Sequence, residues 1–223
     1  MSFHRGPNIV RDGLVLYMDA GNTKSYPGTG TVWTDLKNSY PGTLSGATYS
    51  SLYNGCMSFN GVDNYVELSS ITLPTNITVS AWIYRTGAPT GFNPIVELGS
   101  SSGSRYFRFV SLNYTLCFGN DGQTNNFYRT NTSFSLLNTW YNVVAMYDGT
   151  YRIFVNGIET TVYQNTGAYA AWLTSKLNIG YRPYDSTVKS FTGFIPMVKI
   201  YNRALTPTEV LQNYNTTKPR FGL

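Results

Sequence analysis

Charge is scarce in this chain of 223 residues, with charged side chains making up 12% of the total, about half the usual share. That shortage excludes a coiled coil and disorder driven by charge repulsion. Histidine is nearly absent, and the only one, His4, lies close to the N-terminus. A Ser or Cys triad therefore lacks its usual base, and zinc lacks a ligand set. Two cysteines, Cys56 and Cys117, are too few for a disulfide framework and have no metal-ligand spacing around them. They read as buried, unpaired apolar side chains, with one disulfide as the alternative. The net charge of +5 comes from 16 Lys and Arg against 11 Asp and Glu, so it reflects missing acids more than clustered bases. No basic run is present, and Arg105 and Arg108 in Arg105-Tyr106-Phe107-Arg108-Phe109 point to opposite faces of a strand. Nucleic acid is thus not an expected partner. No stretch approaches the roughly 18 apolar residues of a membrane span, and Met1 to Pro7 lacks a signal-peptide core. The expectation is a protein made in the cytoplasm without a secretory signal or membrane segment.

What the chain has in quantity is aromatic and turn-forming residues: 19 Tyr, 21 Gly and 16% aromatics overall. At 24.9 kDa a single domain buries about 70% of its unfolded surface, enough for a core without staples. Short apolar or alternating runs recur between turn signals, the pattern of an all-β protein. Strands are predicted over Gly13–Met18, Cys56–Phe59, Tyr65–Leu68, Ile77–Tyr84, Pro94–Leu98, Tyr106–Val110 and Tyr114–Gly119, with Lys176–Gly180 and Phe191–Asn202 closing the sheets. Between Asp19 and Asn54, Pro27-Gly28 and Pro41-Gly42 predict long loops with short strands. Asp148-Gly149 and Asn156-Gly157 supply the positive φ of tight hairpins and join Tyr141–Tyr147, Tyr151–Val155 and Ile158–Tyr163 into a meander. Only Thr206-Pro207-Thr208-Glu209 signals a helix. Its capping box, with Pro at the first helical position, starts a short one running to about Tyr214.

Four motifs, in order, then carry a resemblance. They are Phe59-Asn60-Gly61-Val62-Asp63-Asn64-Tyr65-Val66, Ile77-Thr78-Val79-Ser80-Ala81-Trp82-Ile83, the Trp140 to Gly157 segment, and Val198-Lys199-Ile200-Tyr201-Asn202-Arg203-Ala204-Leu205 with Glu209. Together they resemble the laminin-G-like jelly roll of the concanavalin A-like lectin/glucanase superfamily. The resemblance implies a two-sheet antiparallel jelly-roll sandwich with one short C-terminal helix over residues 13–214, flanked by an N-terminal arm (1–12) and a C-terminal arm (215–223). Pro196 stands where the family carries an acidic residue, which argues against a family-type calcium site. Gly6-Pro7-Asn8-Ile9-Val10 and the Leu211 to Gly222 segment look like the flanks of structural proteins of tailed bacteriophages.

Chemistry narrows the function. The glucanases this resemblance invokes carry Glu-X-Asp-X-Glu on one strand, and no such triplet is present. Glu67, Glu97, Glu159 and Glu209 each read as a strand edge, a turn or the helix cap. Asp63 with Glu67 is the nearest carboxylate pair and reads as a loop Asp beside a solvent-facing strand Glu. The chain is therefore expected not to be an enzyme, and no cofactor is expected, with Asp63 and Asn64 as weak calcium candidates. Glycan contact needs only loop aromatics and a few polar groups, for which Trp172, Tyr169, Tyr184, Arg182 and Trp33 are the candidates. Phe3, Arg5, Ile9 and Val10 at one end, and Lys218, Arg220, Phe221 and Leu223 at the other, are read as assembly arms. The expected role is non-enzymatic: a structural protein on a tailed-phage virion surface, decorating the head, contacting major capsid or other virion proteins and sister subunits, and adsorbing host glycans weakly. The alternative is a receptor-binding, fibre-tip lectin for host polysaccharide, and the third reading a glycan hydrolase.

Overall fold

A computed structural model describes residues 8–87, 92–98, 106–112, 115–121, 127–130, 137–160, 162–164, 174–182 and 191–223. The strands in chain order are β1 (Leu14–Asp19), β2 (Val32–Trp33), β3 (Gly42–Ser45), β4 (Thr48–Ser50), β5 (Cys56–Asn60), β6 (Tyr65–Thr72), β7 (Ile77–Arg85), β8 (Phe92–Leu98) and β9 (Tyr106–Leu112). They continue as β10 (Thr115–Asp121), β11 (Phe127–Thr130), β12 (Trp140–Tyr147), β13 (Tyr151–Val155), β14 (Ile158–Thr160), β15 (Val162–Gln164), β16 (Thr174–Ile179) and β17 (Thr192–Tyr201), followed by the helix α1 (Pro207–Thr217). One sheet has eight strands in the order β14-β13-β12-β7-β17-β5-β4, with β1 paired to β17. The other has nine, in the order β15-β11-β10-β9-β8-β16-β6-β3-β2. Their inner faces share one core that includes Leu16, Val66, Val79, Val96, Leu177 and Ile200. The architecture is a mostly-β sandwich of antiparallel sheets with one short helix.

Local chemistry explains the elements the sequence signals. The second hairpin turn uses φ of 52° at Asn156 and 81° at Gly157, which is what Asn-Gly supplies cheaply. In β7 every second residue, Ile77, Val79, Ala81 and Ile83, enters the shared core. Between them Trp82 and Tyr84 turn to the outer face, so the strand is apolar on both sides. Helix α1 and its flanks cover that face: Val210 packs with Val144, Met146, Phe154 and Tyr201, and Trp82 Nε1 donates to Thr217 Oγ1 at 2.9 Å. The capping box forms, with Thr206 Oγ1 accepting from Glu209 N–H at 3.2 Å and Glu209 Oε2 accepting from Thr206 N–H at 2.8 Å. Arg203 grips the same carboxylate with two nitrogens, at 2.9 and 2.6 Å.

Two expectations need correction. The run Ile158–Tyr163 is not one strand: β14 pairs with β13 in the first sheet, whereas β15 pairs with β11 in the second. The helix continues past Tyr214 to Thr217 and is followed by a 3₁₀ turn over Lys218–Phe221. The C-terminal residues read as an assembly arm lie against their own domain. Phe221 lies 4.2 Å from Trp82 and 4.5 Å from Trp140 between ring centroids, and Arg220 binds Asp19 and the carbonyls of Tyr53, Asn54 and Gly55. Lys218 sits 5.2 Å over the Tyr214 ring, while Leu223 is exposed. At the other end Val10 is buried beside Ile9, and its N–H donates to Asn213 Oδ1 at 2.8 Å. Phe3 and Arg5 lie outside the described residues. Cys56 and Cys117 sit buried in different sheets and form no disulfide.

Candidate functional site

Val66-Glu67-Leu68 on β6 and Val96-Glu97-Leu98 on β8 repeat one triplet, and Leu177-Asn178-Ile179 on β16 has the same alternation. In each triplet the two apolar residues enter the shared core, so the central polar residue faces outward from the nine-stranded sheet. Register brings the three together: Asn178 is opposite Glu67 on one side and opposite Glu97 on the other. Directly paired side chains sit about 5 Å apart at Cβ, which makes a Glu–Asn–Glu row across three strands. Arg108 is next in the row by backbone pairing.

The row grades from wet to dry. Glu67 Oε1 accepts from the exposed Lys176 ammonium at 2.6 Å, a hydrogen bond and charge contact that raises the lysine pKa. Glu97 is fully buried and Asn178 is 1% exposed although both face away from the core. Arg182 Nε stands 3.9 Å from Glu97 Oε2. Both amide atoms of Asn178, Oδ1 and Nδ2, are buried with no hydrogen-bond partner among the described residues. Leaving a buried donor or acceptor unmade costs about 1–3 kcal/mol, so this amide is a cost to the fold at the dry end of the row. Beside the row, Tyr65, two residues before Glu67 and on the same face, stacks on Tyr181 with centroids 4.8 Å apart and planes at 19°. Both tyrosines are half-exposed. The face thus combines an aromatic pair and an accessible carboxylate–ammonium pair, Glu67 with Lys176, above a buried Asn178 and Glu97. That set suits a polyhydroxylated ligand, whose rings stack on aromatics and whose hydroxyls match charged donors and acceptors.

Of the residues anticipated for ligand contact, Arg182 belongs to this face. Trp33 does not: it is fully buried in the shared core, paired opposite Gly42, and has no ring face to offer. Tyr169, Trp172 and Tyr184 lie outside the described residues. Glu97 is neither an edge nor a turn residue, since β8 is an interior strand. The repeated Val-Glu-Leu triplet was the signal that could have found it. Asp63 and Asn64 each use one side-chain oxygen to close their own loop: Asp63 Oδ1 accepts from Asn60 Nδ2 at 2.8 Å and Asn64 Oδ1 from Asn60 N–H at 3.1 Å. Among the described residues no group of three His, Cys, Asp or Glu could hold a metal ion. Pro196 sits in a bulge of β17, where a residue without N–H is tolerated, and its carbonyl accepts from Ala20 N–H at 2.9 Å.

With that geometry in place, residues 60–211 match a laminin-G-type family described as the concanavalin A-like lectin/glucanases superfamily. No curated protein sequence matches the chain. Domain 4 of a GH43 extracellular arabinanase from Geobacillus stearothermophilus, solved with arabinotriose, is similar with a TM-score of 0.70 and 17% identity, over 90% of this chain and 98% of that domain. Trypanosoma rangeli sialidase, solved with sialic acid, is similar with a TM-score of 0.71 and 18% identity, over 96% of this chain but 35% of the sialidase. A botulinum neurotoxin type C structure, reported for entry through two ganglioside molecules, has a TM-score of 0.64 and 11% identity, over 92% of this chain and 51% of that one. At these identities the likeness is one of fold. It still overturns the expectation that the chain is not an enzyme, because the neighbours include parts of glycoside hydrolases; glycan binding and glycan hydrolysis both stay open.

Proposed function

The chain belongs to the concanavalin A-like lectin/glucanases superfamily, and from that premise we propose that it recognises carbohydrate on the outer face of the nine-stranded sheet. The observation that carries this reading is the half-exposed Tyr65–Tyr181 stack beside the Glu67–Lys176 pair, with Asn178 and Glu97 buried further along the same row. A sugar ring rests on the half-exposed tyrosine pair. Its vicinal hydroxyls exchange hydrogen bonds with the Glu67 carboxylate and the Lys176 ammonium. The arabinotriose, sialic acid and gangliosides of the neighbours' structures are all carbohydrates, which supports the class of ligand.

The resemblance of the flanking segments to tailed-phage structural proteins supports a finer reading, in which this face is displayed on a virion and meets host polysaccharide. There, many copies convert weak single sites into avidity. The test is a glycan array followed by calorimetry, with arabino-oligosaccharides and sialylated glycans among the probes. Saturable binding is expected, weakened at least about tenfold by Lys176→Ala or Tyr65→Ala, the loss of one good polar contact or stacking ring. Absence of saturable binding across the array, or binding unchanged in both variants, would refute the reading. Release of new reducing ends, abolished in Glu97→Gln, would turn it from recognition alone to hydrolysis.

A further inference from the structure

Beside β1, on the other sheet, a cavity of about 360 Å³ opens between the N-terminal segment, the strand and the loop after β2. Its wall is apolar where Ile9, Leu14 and Leu36 contribute, and it carries two cations, Arg11 and Lys37. Among the described residues no carboxylate lines it. The acids nearest in sequence are already spent. Asp12 pairs with Arg203 at 2.8 Å, and the buried Asp35 accepts four backbone N–H groups, from Tyr17, Lys37, Ser39 and Tyr40. Three of those bonds close the loop carrying Leu36 and Lys37 on itself, and the one from Tyr17, with Leu36 N–H donating to the Tyr17 carbonyl at 2.8 Å, ties it to β1, so the wall is built rather than incidental. Neither Arg11 nor Lys37 has a side-chain partner among the described residues.

A second, more polar cavity of about 440 Å³ adjoins the first, and Asn22 lines both. The Asn22 carbonyl oxygen Oδ1 accepts from Lys24 N–H at 3.0 Å, which orients the amide and leaves Nδ2 as a donor at the junction. In the second cavity Arg220 is paired with Asp19 at 2.5 Å, whereas Arg11 and Lys37 in the first have no such pair among the described residues. A pocket of this volume is at the small end of ligand sites, and it pairs an apolar wall with two cationic residues in its lining.

We propose that this cavity binds a carboxylate-bearing sugar, with Arg11 and Lys37 on the carboxylate, the apolar wall against the ring, and hydroxyls running past Asn22 into the second cavity. It is a site separate from the face on the nine-stranded sheet and does not depend on it. An acidic polysaccharide could then be held at two places on one molecule.

The experiment is titration of the whole chain with sodium glucuronate, glucose and sodium acetate, followed by amide chemical shifts. Glucuronate is expected to shift residues around Asn22 and Lys37 saturably and to bind at least about tenfold tighter than glucose or acetate, a difference of one charge-assisted contact. The combined Arg11→Ala and Lys37→Ala variant should lose that preference, and both changes are at exposed positions that leave the core intact. Tyr65→Ala should leave glucuronate binding here unchanged, which separates the failure of this site from failure of the other. Acetate binding as tightly as glucuronate, glucose binding as tightly as glucuronate, or an unchanged preference in the double variant would each overturn the proposal.

Discussion

Lys199 lies on β17 with 1% of its surface exposed, facing Tyr17 and Asp19 from β1 and Arg220 from the C-terminal turn. Burial lowers its pKa from 10.5 to about 8, with Asp19 opposing and Arg220 assisting the shift. A lysine depressed in the folded state is bound to a proton more readily in the unfolded chain. Between pH 8 and 10.5 the unfolded state therefore holds more protons, and stability rises with pH through that window; below pH 8 the full penalty is present. The shift corresponds to about 3 kcal/mol. Replacing the amine by the similarly shaped, apolar side chain in Lys199→Met removes that penalty and also the ammonium contact over the Tyr17 ring, 5.5 Å from its centroid, worth about 1 kcal/mol. A net gain of about 2 kcal/mol is expected at pH 7. The gain should shrink to nothing as pH approaches 10.5. Paired urea titrations of the two proteins at pH 7, 8, 9 and 10 measure it, because the difference cancels the other titrating groups. A variant less stable at pH 7, or a gap that does not change with pH, would refute the argument that a charged amine is being buried at a cost.

Asp35→Asn puts an NH₂ group opposite two of the four backbone N–H donors that the carboxylate now satisfies. It should cost about 3–5 kcal/mol, read from the urea midpoint, and an unchanged midpoint would mean the loop does not depend on that carboxylate. At Gly21 a Cβ would stand 2.2 Å from the Asn54 carbonyl oxygen and 2.6 Å from Arg220 Nη2. Gly21→Ala is thus expected to push Arg220 and the adjoining Phe221 outward, which wets Trp82 and Trp140 and shifts tryptophan emission to the red; an emission maximum identical to wild type is the contrary result. The two-nitrogen grip of Arg203, assisted by the Thr206 hydrogen bonds, holds Glu209 down from 4.5 to about 2. A depressed carboxylate stabilises the fold above its unfolded pKa and loses that contribution as pH falls toward 2. After solvent screening the stability gap between wild type and Glu209→Gln should be about 1 kcal/mol at pH 7, closing between pH 5 and 2 in acid denaturation curves. A gap that stays constant to pH 2 would count against the ion pair.

Local chemistry was readable along the chain wherever one short segment decided the outcome. Asn156-Gly157 could be read as a hairpin turn because few residues other than Asn and Gly reach left-handed backbone angles cheaply. The Thr206 to Glu209 capping box marked the start of α1 because its two hydrogen bonds close within a few residues. Alternation in Ile77 to Tyr84 marked a strand, but not why Trp82 on its second face is buried, since α1 and Phe221 arrive from far along the chain. Trp33 looked like an exposed loop aromatic, and only the closing of the sandwich over β2 showed it to be core. Glu67, Glu97 and Asn178 carried no shared signal beyond flanking apolar residues. The sequence by itself determined the all-β class, the turns, the helix start and which side of each strand is greasy, because those follow from backbone angles and side-chain period. The meeting of residues 67, 97 and 178 in one row was decided only by the tertiary structure, because strand order and register are set by core packing between distant segments.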